Sequence, residues 1–392
     1  MKINYHPYVL EIEKNIIEYR RDFHKHPELS FQEHRTSQTI AKELRSFGLE
    51  VHENIAKTGV FGILKGNKPG KTIALRADMD ALPIQETSKL KFKSINEGVM
   101  HACGHDGHMA ILLGAAQALS KMKSSIKGII KFIFQPAEEG LGGAKFMIKD
   151  GVLNNVDEIY GLHLWNYQKF GTVGIQSGPV MAAADKFTIK IIGKGGHGAA
   201  PQGTIDASVV SANVIQALQT IVSRNTNPLQ SNVITIGQIN GGYNFNIIAD
   251  KITLKGTTRS FTKENQKLIK KRMKEILSGI EKAFTCQIEL NYEDGYPPLI
   301  NHEKQTHNVK LASKKITPNG IEKPYLTMGG EDFSYYLNKK PGCFFFLGSS
   351  PDNKEVDTPH HCSHFNINEK SLLLGSSIFV ELINQLLIKN NL

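Results

Sequence analysis

The chain has 392 residues, 40% hydrophobic and 21% charged, with a formal net charge of +10 and four cysteines. This length is too great for one small core and predicts two or three domains, and the ordinary apolar content fits a folded soluble chain. Cys103, Cys286, Cys343 and Cys362 are too scattered for a disulfide framework, the first residues lack a signal-peptide pattern, and no apolar run approaches the length of a membrane span. The expectation is therefore a cytoplasmic protein in a reducing compartment, with no membrane contact. The lysines are dispersed and accompany no nucleic-acid motif. Their densest run, 267–274, lies on an expected amphipathic helix, so it reads as a solvated basic face with a general pull on anionic substrates and no nucleic-acid partner.

In chain order, residues 10–47 read as a long helix broken at His26-Pro27, because proline disfavours a helical residue before it. Strands at 60–64 and 72–75, a helix at 109–121, a strand at 129–134, a helix at 144–150 and a strand at 159–164 give the α/β alternation of a sheet covered by helices. From about Lys186 the rhythm changes. A strand at 187–192, a helix at 206–222, strands at 232–239 and 251–258, a helix at 263–283 and a strand at 286–291 form a βαββαβ, ferredoxin-like unit. A strand at 343–347 and a helix at 371–388 follow. The expected organisation is a discontinuous catalytic domain, 1–184 and 296–392, interrupted by an inserted domain at 185–295.

His101-Ala-Cys-Gly-His-Asp-Gly-His108 concentrates a thiol, three imidazoles and a carboxylate in eight residues. Cys103 and His105, two apart, can face one way and hold a borderline cation; the alternative is a polar loop that caps the following helix through Asp106. Ligands in open α/β sheets bind beyond the carboxyl ends of strands, and here those ends carry chemistry. The strand 72–75 runs into Asp78 and Asp80, 129–134 into Glu138 and Glu139, 159–164 into His163, and 343–347, after a loop, into His360-His-Cys-Ser-His364. Adjacent Glu138 and Glu139 repel unless at least one faces a cation. Two solvated loop glutamates are one reading; on the functional reading Glu139 is a metal ligand and Glu138 a base beside a metal-activated water.

Arg20-Arg-Asp-Phe-His-Lys-His-Pro-Glu-Leu29, Leu75-Arg-Ala-Asp-Met-Asp-Ala-Leu-Pro83, the 101–108 segment, Phe134-Gln-Pro-Ala-Glu-Glu-Gly140, Gly195-Gly-His-Gly-Ala199 and Gly329-Gly-Glu-Asp-Phe333 together resemble the two-metal aminoacylase and carboxypeptidase superfamily. Within it they resemble the amidohydrolase branch of hippurate hydrolases, N-acetyl-amino-acid and N-acetyl-diaminopimelate deacetylases and auxin-conjugate hydrolases, and most nearly bacterial hippurate hydrolase. The resemblance implies a mixed-sheet α/β/α metallohydrolase domain with an inserted ferredoxin-like lid and dimerisation domain. It implies two divalent ions, zinc, manganese, cobalt or nickel, held by Cys103, His105, Glu139, His163 and His361, with Glu138 as general base. The carboxy-terminal motif departs from the usual pattern at His360 and Ser363. Arg76-Ala-Asp78 stands where other members carry His-x-Asp, so Asp78 is expected to support the ligands from behind. His24 and His26 are set aside as packing and surface groups.

In the inserted domain the resemblance makes His197 the donor to the oxyanion, within its own subunit or, as often in the family, across a dimer; it implies a homodimer or homotetramer and makes Asn246 and Arg259 anchors for substrate, Arg259 for a free carboxylate. Ala249 replaces a usual proline beside Asn246. The expected activity is hydrolysis of the amide of N-acyl amino acids to a carboxylic acid and an amino acid. A metallo-dipeptidase or carboxypeptidase, a cysteine hydrolase built on Cys103, and a non-catalytic binding protein on the same fold are the alternatives.

Overall fold

The computed structural model describes residues 2–351 and 358–389. Its main elements, in chain order, are helices α1 (Glu13–Lys25) and α2 (His34–Ser46), strands β1 (Glu50–Ile55), β2 (Gly59–Lys65) and β3 (Lys68–Asp78), helix α3 (His105–Ser120), strand β4 (Lys127–Gln135), helix α4 (Gly143–Lys149) and strand β5 (Glu158–Lys169). Then come β6 (Ala183–Ile192), α5 (Ala207–Thr220), β7 (Asn232–Gly241), β8 (Lys251–Ser260), α6 (Lys263–Phe284) and β9 (Gln287–Tyr296), followed by α7 (Glu303–Ile316), β10 (Gly342–Ser350) and α8 (Lys370–Ile383). They fall into two compact units: Met1–Gly178 with Ile300–Tyr325 and Asp332–Leu392, and Pro179–Leu299 with Leu326–Glu331.

In the first unit the sheet order is β1-β2-β4-β3-β5-β10, extended by short ladders at Val173–Gly174 and Ile321–Glu322. β4, β3, β5 and β10 run parallel, β2 pairs antiparallel with β4, and β1 antiparallel with β2. The sheet is therefore mixed. The chain leaves β3 for β4 on one side and then returns to β5 on the other, so the strand order reverses between β3 and β5, which is where an open sheet forms a binding crevice. Strand alternation sorts the side chains. Ile73, Leu75, Ala77, Phe132, Phe134, Tyr160 and Leu162 join one apolar core with α1, α2, α3, α7 and α8. Arg76, Asp78, Gln135 and His163 alternate to the opposite face.

Helix α8 continues into a π-helical turn, and Lys370–Ile388 is apolar and long enough to cross a bilayer, contrary to the expectation that no such run exists. Its apolarity has another cause: 78% of that window is buried, with α8 packed on α3 and α7. Close packing needs glycine. A Cβ at Gly375 would lie 2.8 Å from Ile111, and one at Gly114 2.7 Å from Ile16.

The second unit is a four-stranded antiparallel sheet of order β7-β8-β6-β9. Together with α5 and α6 this is the 2-3-1-4 order of a ferredoxin-like βαββαβ unit. Its limits lie outside the expected 185–295, because β6 pairs with β8 and β9 as far back as Ala183 and Ala184. Residues 326–331 also join it, with Ala182 donating to the Gly329 carbonyl at 2.8 Å.

Candidate metal centre

Asp78 closes β3. Its neighbours across the sheet place Arg76 opposite Gly161, and His163 opposite Phe346. His163 thus sits within β5, not at a strand end as expected, because β5 runs on to Lys169. Helix α3 begins at His105 rather than 109, with Gly104 as its N-cap residue at φ 91°. Asp106 is not a cap; it lies in the first turn. A Cβ at Gly107 would meet Leu164 at 2.3 Å, so only glycine there lets the turn bearing His105 and His108 lie against β5.

The structure brings Cys103, His105 and His163 together, and likewise Cys103, Glu139 and His361, and His105, Glu138 and Glu139; within each group the ligand atoms lie no more than 4.8 Å apart. All six expected residues therefore share one cluster. His105 Nδ1 donates to the Asp80 carbonyl at 2.8 Å, while its buried Nε2 has no hydrogen-bond partner among the described residues. His163 Nδ1 donates to the Leu164 carbonyl at 2.7 Å, leaving Nε2 3.6 Å from Cys103 Sγ. Exposed His361, at φ 65°, brings Nε2 to 3.3 Å from Glu139 Oε1. Its neighbour His360 accepts the Asn166 N–H on Nε2 at 3.2 Å, which leaves the proton on Nδ1, 3.9 Å from the thiol.

Electrostatics favour a cation here. Burial and the Glu139, Glu138 and Asp78 carboxylates push the Cys103 thiol well above its usual range. Burial opposes a charge on His105, yet Asp78, Asp80 and Glu139 hold its pKa at about 10. An imidazole held in its charged form by buried carboxylates, with one ring nitrogen lacking a hydrogen-bond partner among the described residues, offers a place where a divalent ion can replace the proton. Thiolate, imidazole and carboxylate donors are a set suited to zinc or similar ions.

Asp78 lies behind these groups. It takes the His108 Nδ1 proton at 2.6 Å and Arg76 Nη1 at 2.7 Å, and stands 3.7 Å from His105 Nε2. His108 is spent otherwise, accepting the Leu164 N–H on Nε2 at 2.9 Å. Arg76 also binds Asp332 at 2.9 Å and Gln135 at 2.9 Å, and the Asp332 N–H points at Glu138 Oε1, 3.4 Å away.

Some supporting groups escape a reading of the sequence. His24, expected as packing, is buried in an ionic cluster in which Asp106 Oδ2 accepts Arg20 Nε at 3.0 Å and lies 2.8 Å from His24 Nδ1, while His24 Nε2 lies 3.2 Å from Glu86. The signal was available: Arg20 and His24, i and i+4, share a face of α1 with buried Ile16. His26 is a partly buried side group bonded to the Asp22 carbonyl.

In the second unit, His197 lies in a two-residue ladder opposite Ile247, and the Gly198 N–H binds the Asn246 carbonyl at 2.8 Å. His197 and Asn246 are exposed. The Ala199 N–H donates to His197 Nδ1 at 3.1 Å, so the ring proton resides on Nε2. Arg259, half-buried on β8, donates through Nη1 to the Thr258 carbonyl at 3.0 Å and to Thr257 Oγ1.

A mixed sheet covered by helices, with thiol, imidazole and carboxylate donors gathered at its switch point, is the build of a metallohydrolase. Residues 74–385 match peptidase family M20/M25/M40, and the chain belongs to that family. It is 42% identical over 379 residues to N-acetyl-L-cysteine deacetylase of Bacillus subtilis, spanning 97% of this chain and 90% of that one. It is 45% identical over 373 residues to thermostable carboxypeptidase 2 of Saccharolobus solfataricus, 94% of each. Among solved structures it resembles a dinuclear metal-binding peptidase of family M20 from Bacillus subtilis, with a TM-score of 0.85, 34% identity and coverage of 96% and 99%.

Proposed function

We propose that this chain is an amidohydrolase that cleaves the amide of N-acyl amino acids, with two divalent ions held by Cys103, His105, Glu139, His163 and His361. The observation that carries the reading is the convergence of those five side chains with Glu138 in one cluster. When bound, such ions, zinc, manganese, cobalt or nickel, would supply Lewis-acid chemistry to the scissile carbonyl and to the attacking water. Glu138 accepts that water's proton and passes it to the departing amine. His197, whose proton resides on Nε2, donates to the oxygen on which charge develops. Arg259 holds the free carboxylate of the amino acid, and Asn246 is a further substrate anchor. Asp78 fixes His108 and Arg76 and keeps negative charge beside His105. The inserted unit brings His197 to the substrate from its own subunit or from the partner in a homodimer or homotetramer, in the cytoplasm.

The relative named a carboxypeptidase supports a second reading, cleavage of a peptide's terminal residue by the same groups. A hydrolysis screen of acetyl, benzoyl and indolyl-acyl amino acids against dipeptides and longer peptides, with each metal restored to stripped protein, separates the two. Turnover of N-acyl amino acids well above peptides is expected; the reverse order overturns the first reading.

A further inference from the structure

Three consecutive backbone amides of the loop that carries Glu138 and Glu139 are gripped by two buried carboxylates. The Ala137 N–H donates to Glu33 Oε1, the Glu138 N–H to Asp80 Oδ1 and the Glu139 N–H to Asp80 Oδ2, each at 3.0 Å. Ala137 holds the left-handed conformation, φ 54°, an unusual state for a residue with a side chain. Successive amides turned this way form a concave nest for an anion.

Both carboxylates are committed to this loop. Glu33 occupies the N-cap position of α2, yet its side chain does not cap the helix. Glu28 does that instead, accepting the Arg35 and Thr36 N–H groups at 3.0 and 2.8 Å. Glu33 is fully buried and is held on its other oxygen by the Thr58 hydroxyl at 2.5 Å. Asp80 is steadied by the Ser30 hydroxyl at 2.7 Å, and its backbone carbonyl takes the His105 Nδ1 proton. One residue thus registers both the imidazole and the glutamate pair.

We propose that Glu33 and Asp80 are positioning residues that clamp amides 137–139 and thereby fix where the Glu138 and Glu139 carboxylates point. The proposal rests on the roles given to those glutamates above. It makes the clamp a determinant of proton transfer and of cation retention, through hydrogen-bond geometry and not through the charge of Glu33.

The test uses the metal-loaded full chain with an N-acyl amino acid that the wild type hydrolyses. Glu33→Ala should lower kcat on the order of 10- to 100-fold, as a small misplacement of reacting groups does, with KM little changed. On dialysis against graded chelator it should also lose metal at lower chelator concentration than wild type, read by elemental analysis. Glu33→Gln should recover both properties to within a few-fold, because its amide oxygen can accept the Ala137 N–H while its NH2 donates to Thr58. Asp80→Asn should lose more than Glu33→Ala, since one amide oxygen cannot replace two carboxylate oxygens that take three donors. Wild-type kcat and chelator resistance in Glu33→Ala would overturn the proposal, as would a Glu33→Gln protein as impaired as Glu33→Ala. If Glu33→Ala does not fold, near-isosteric Thr58→Val carries the test: a several-fold lower kcat at unchanged melting temperature supports the clamp, and unchanged kcat overturns it. A wild type inactive on every N-acyl amino acid would defeat the functional reading instead, while the chelator titration would still report on the clamp.

Discussion

The metal-type centre of the first unit and the polar residues of the second are held in opposite ways. Around the centre, His105 and His163 each commit Nδ1 to a backbone carbonyl, and Asp78 lies between His108 and Arg76. Rotation of any of these rings costs a buried hydrogen bond, so the donor set is preorganised. His197 sits instead at the surface on a ladder of two residue pairs, with exposed Asn246 just before its partner strand. On the function proposed above, the first unit holds the ions and the second contributes the exposed donor His197. The predictions below test that division.

Glu138→Gln should have the largest effect. The amide keeps the shape but cannot take a proton, and loss of a general base typically costs on the order of a hundred- to ten-thousand-fold. Metal content should stay at the wild-type value by elemental analysis; near-normal turnover with full occupancy would remove Glu138 from the chemistry. Cys103→Ala and His361→Ala should lower metal content and activity together. His360 is the internal control, because its Nε2 is already committed to the Asn166 N–H. If His361→Ala retains two ions and His360→Ala loses one, the ligand has been assigned to the wrong histidine.

The parts of this centre that were legible in the sequence are those with local causes. Glu138 beside Glu139, and Cys103 two residues from His105, make a metal site a candidate through spacing, while the ligand set itself comes from the resemblance. The α/β alternation follows from apolar periodicity, and the inserted unit from the change in that rhythm. What stayed hidden depends on distant parts of the chain. The start of α3 at His105 is masked by two poor helix formers: Gly104, favoured by its left-handed backbone, and Gly107, which packing against Leu164 requires. β5 continues past His163 because β10 pairs with it as far as Lys169. Polar α7 shows its apolar face only weakly, through Val309, Ala312 and Ile316. Glu33 reads as an ordinary glutamate near a helix start, and only the folded chain brings it to Ala137.

His197→Ala tests the exposed half of the comparison. Loss of one oxyanion donor is worth roughly 3 to 4 kcal/mol in the transition state, on the order of a hundred- to a thousand-fold in kcat, with little change in metal content. Weaker substrate binding at unchanged kcat would instead make it a binding group. If His197 acts across subunits, mixing His197→Ala with Glu138→Gln protein should restore partial activity. Failure to complement after confirmed subunit exchange would confine His197 to its own subunit or remove it from catalysis.

The smallest predicted effect concerns stability and sharpens the picture of a rigid centre. Burial, with Asp80 nearby, raises the Glu33 pKa to about 7 from the ordinary 4.5, against the pull of Thr58 and the backbone amides. Below pH 4.5 the carboxyl is protonated in folded and unfolded chains alike and costs nothing. Between pH 4.5 and 7 the unfolded chain releases the proton while the folded chain keeps it, so stability falls as pH rises, by on the order of 3 kcal/mol in total. Glutamine does not titrate. Urea unfolding of metal-free protein should therefore show the stability of Glu33→Gln relative to wild type rising steadily from pH 4 to pH 8 and levelling above it. A difference that stays flat across that range would mean that Glu33 ionises as readily in the folded chain as in the unfolded one, and that the loop beneath Glu138 is wetter than its packing implies.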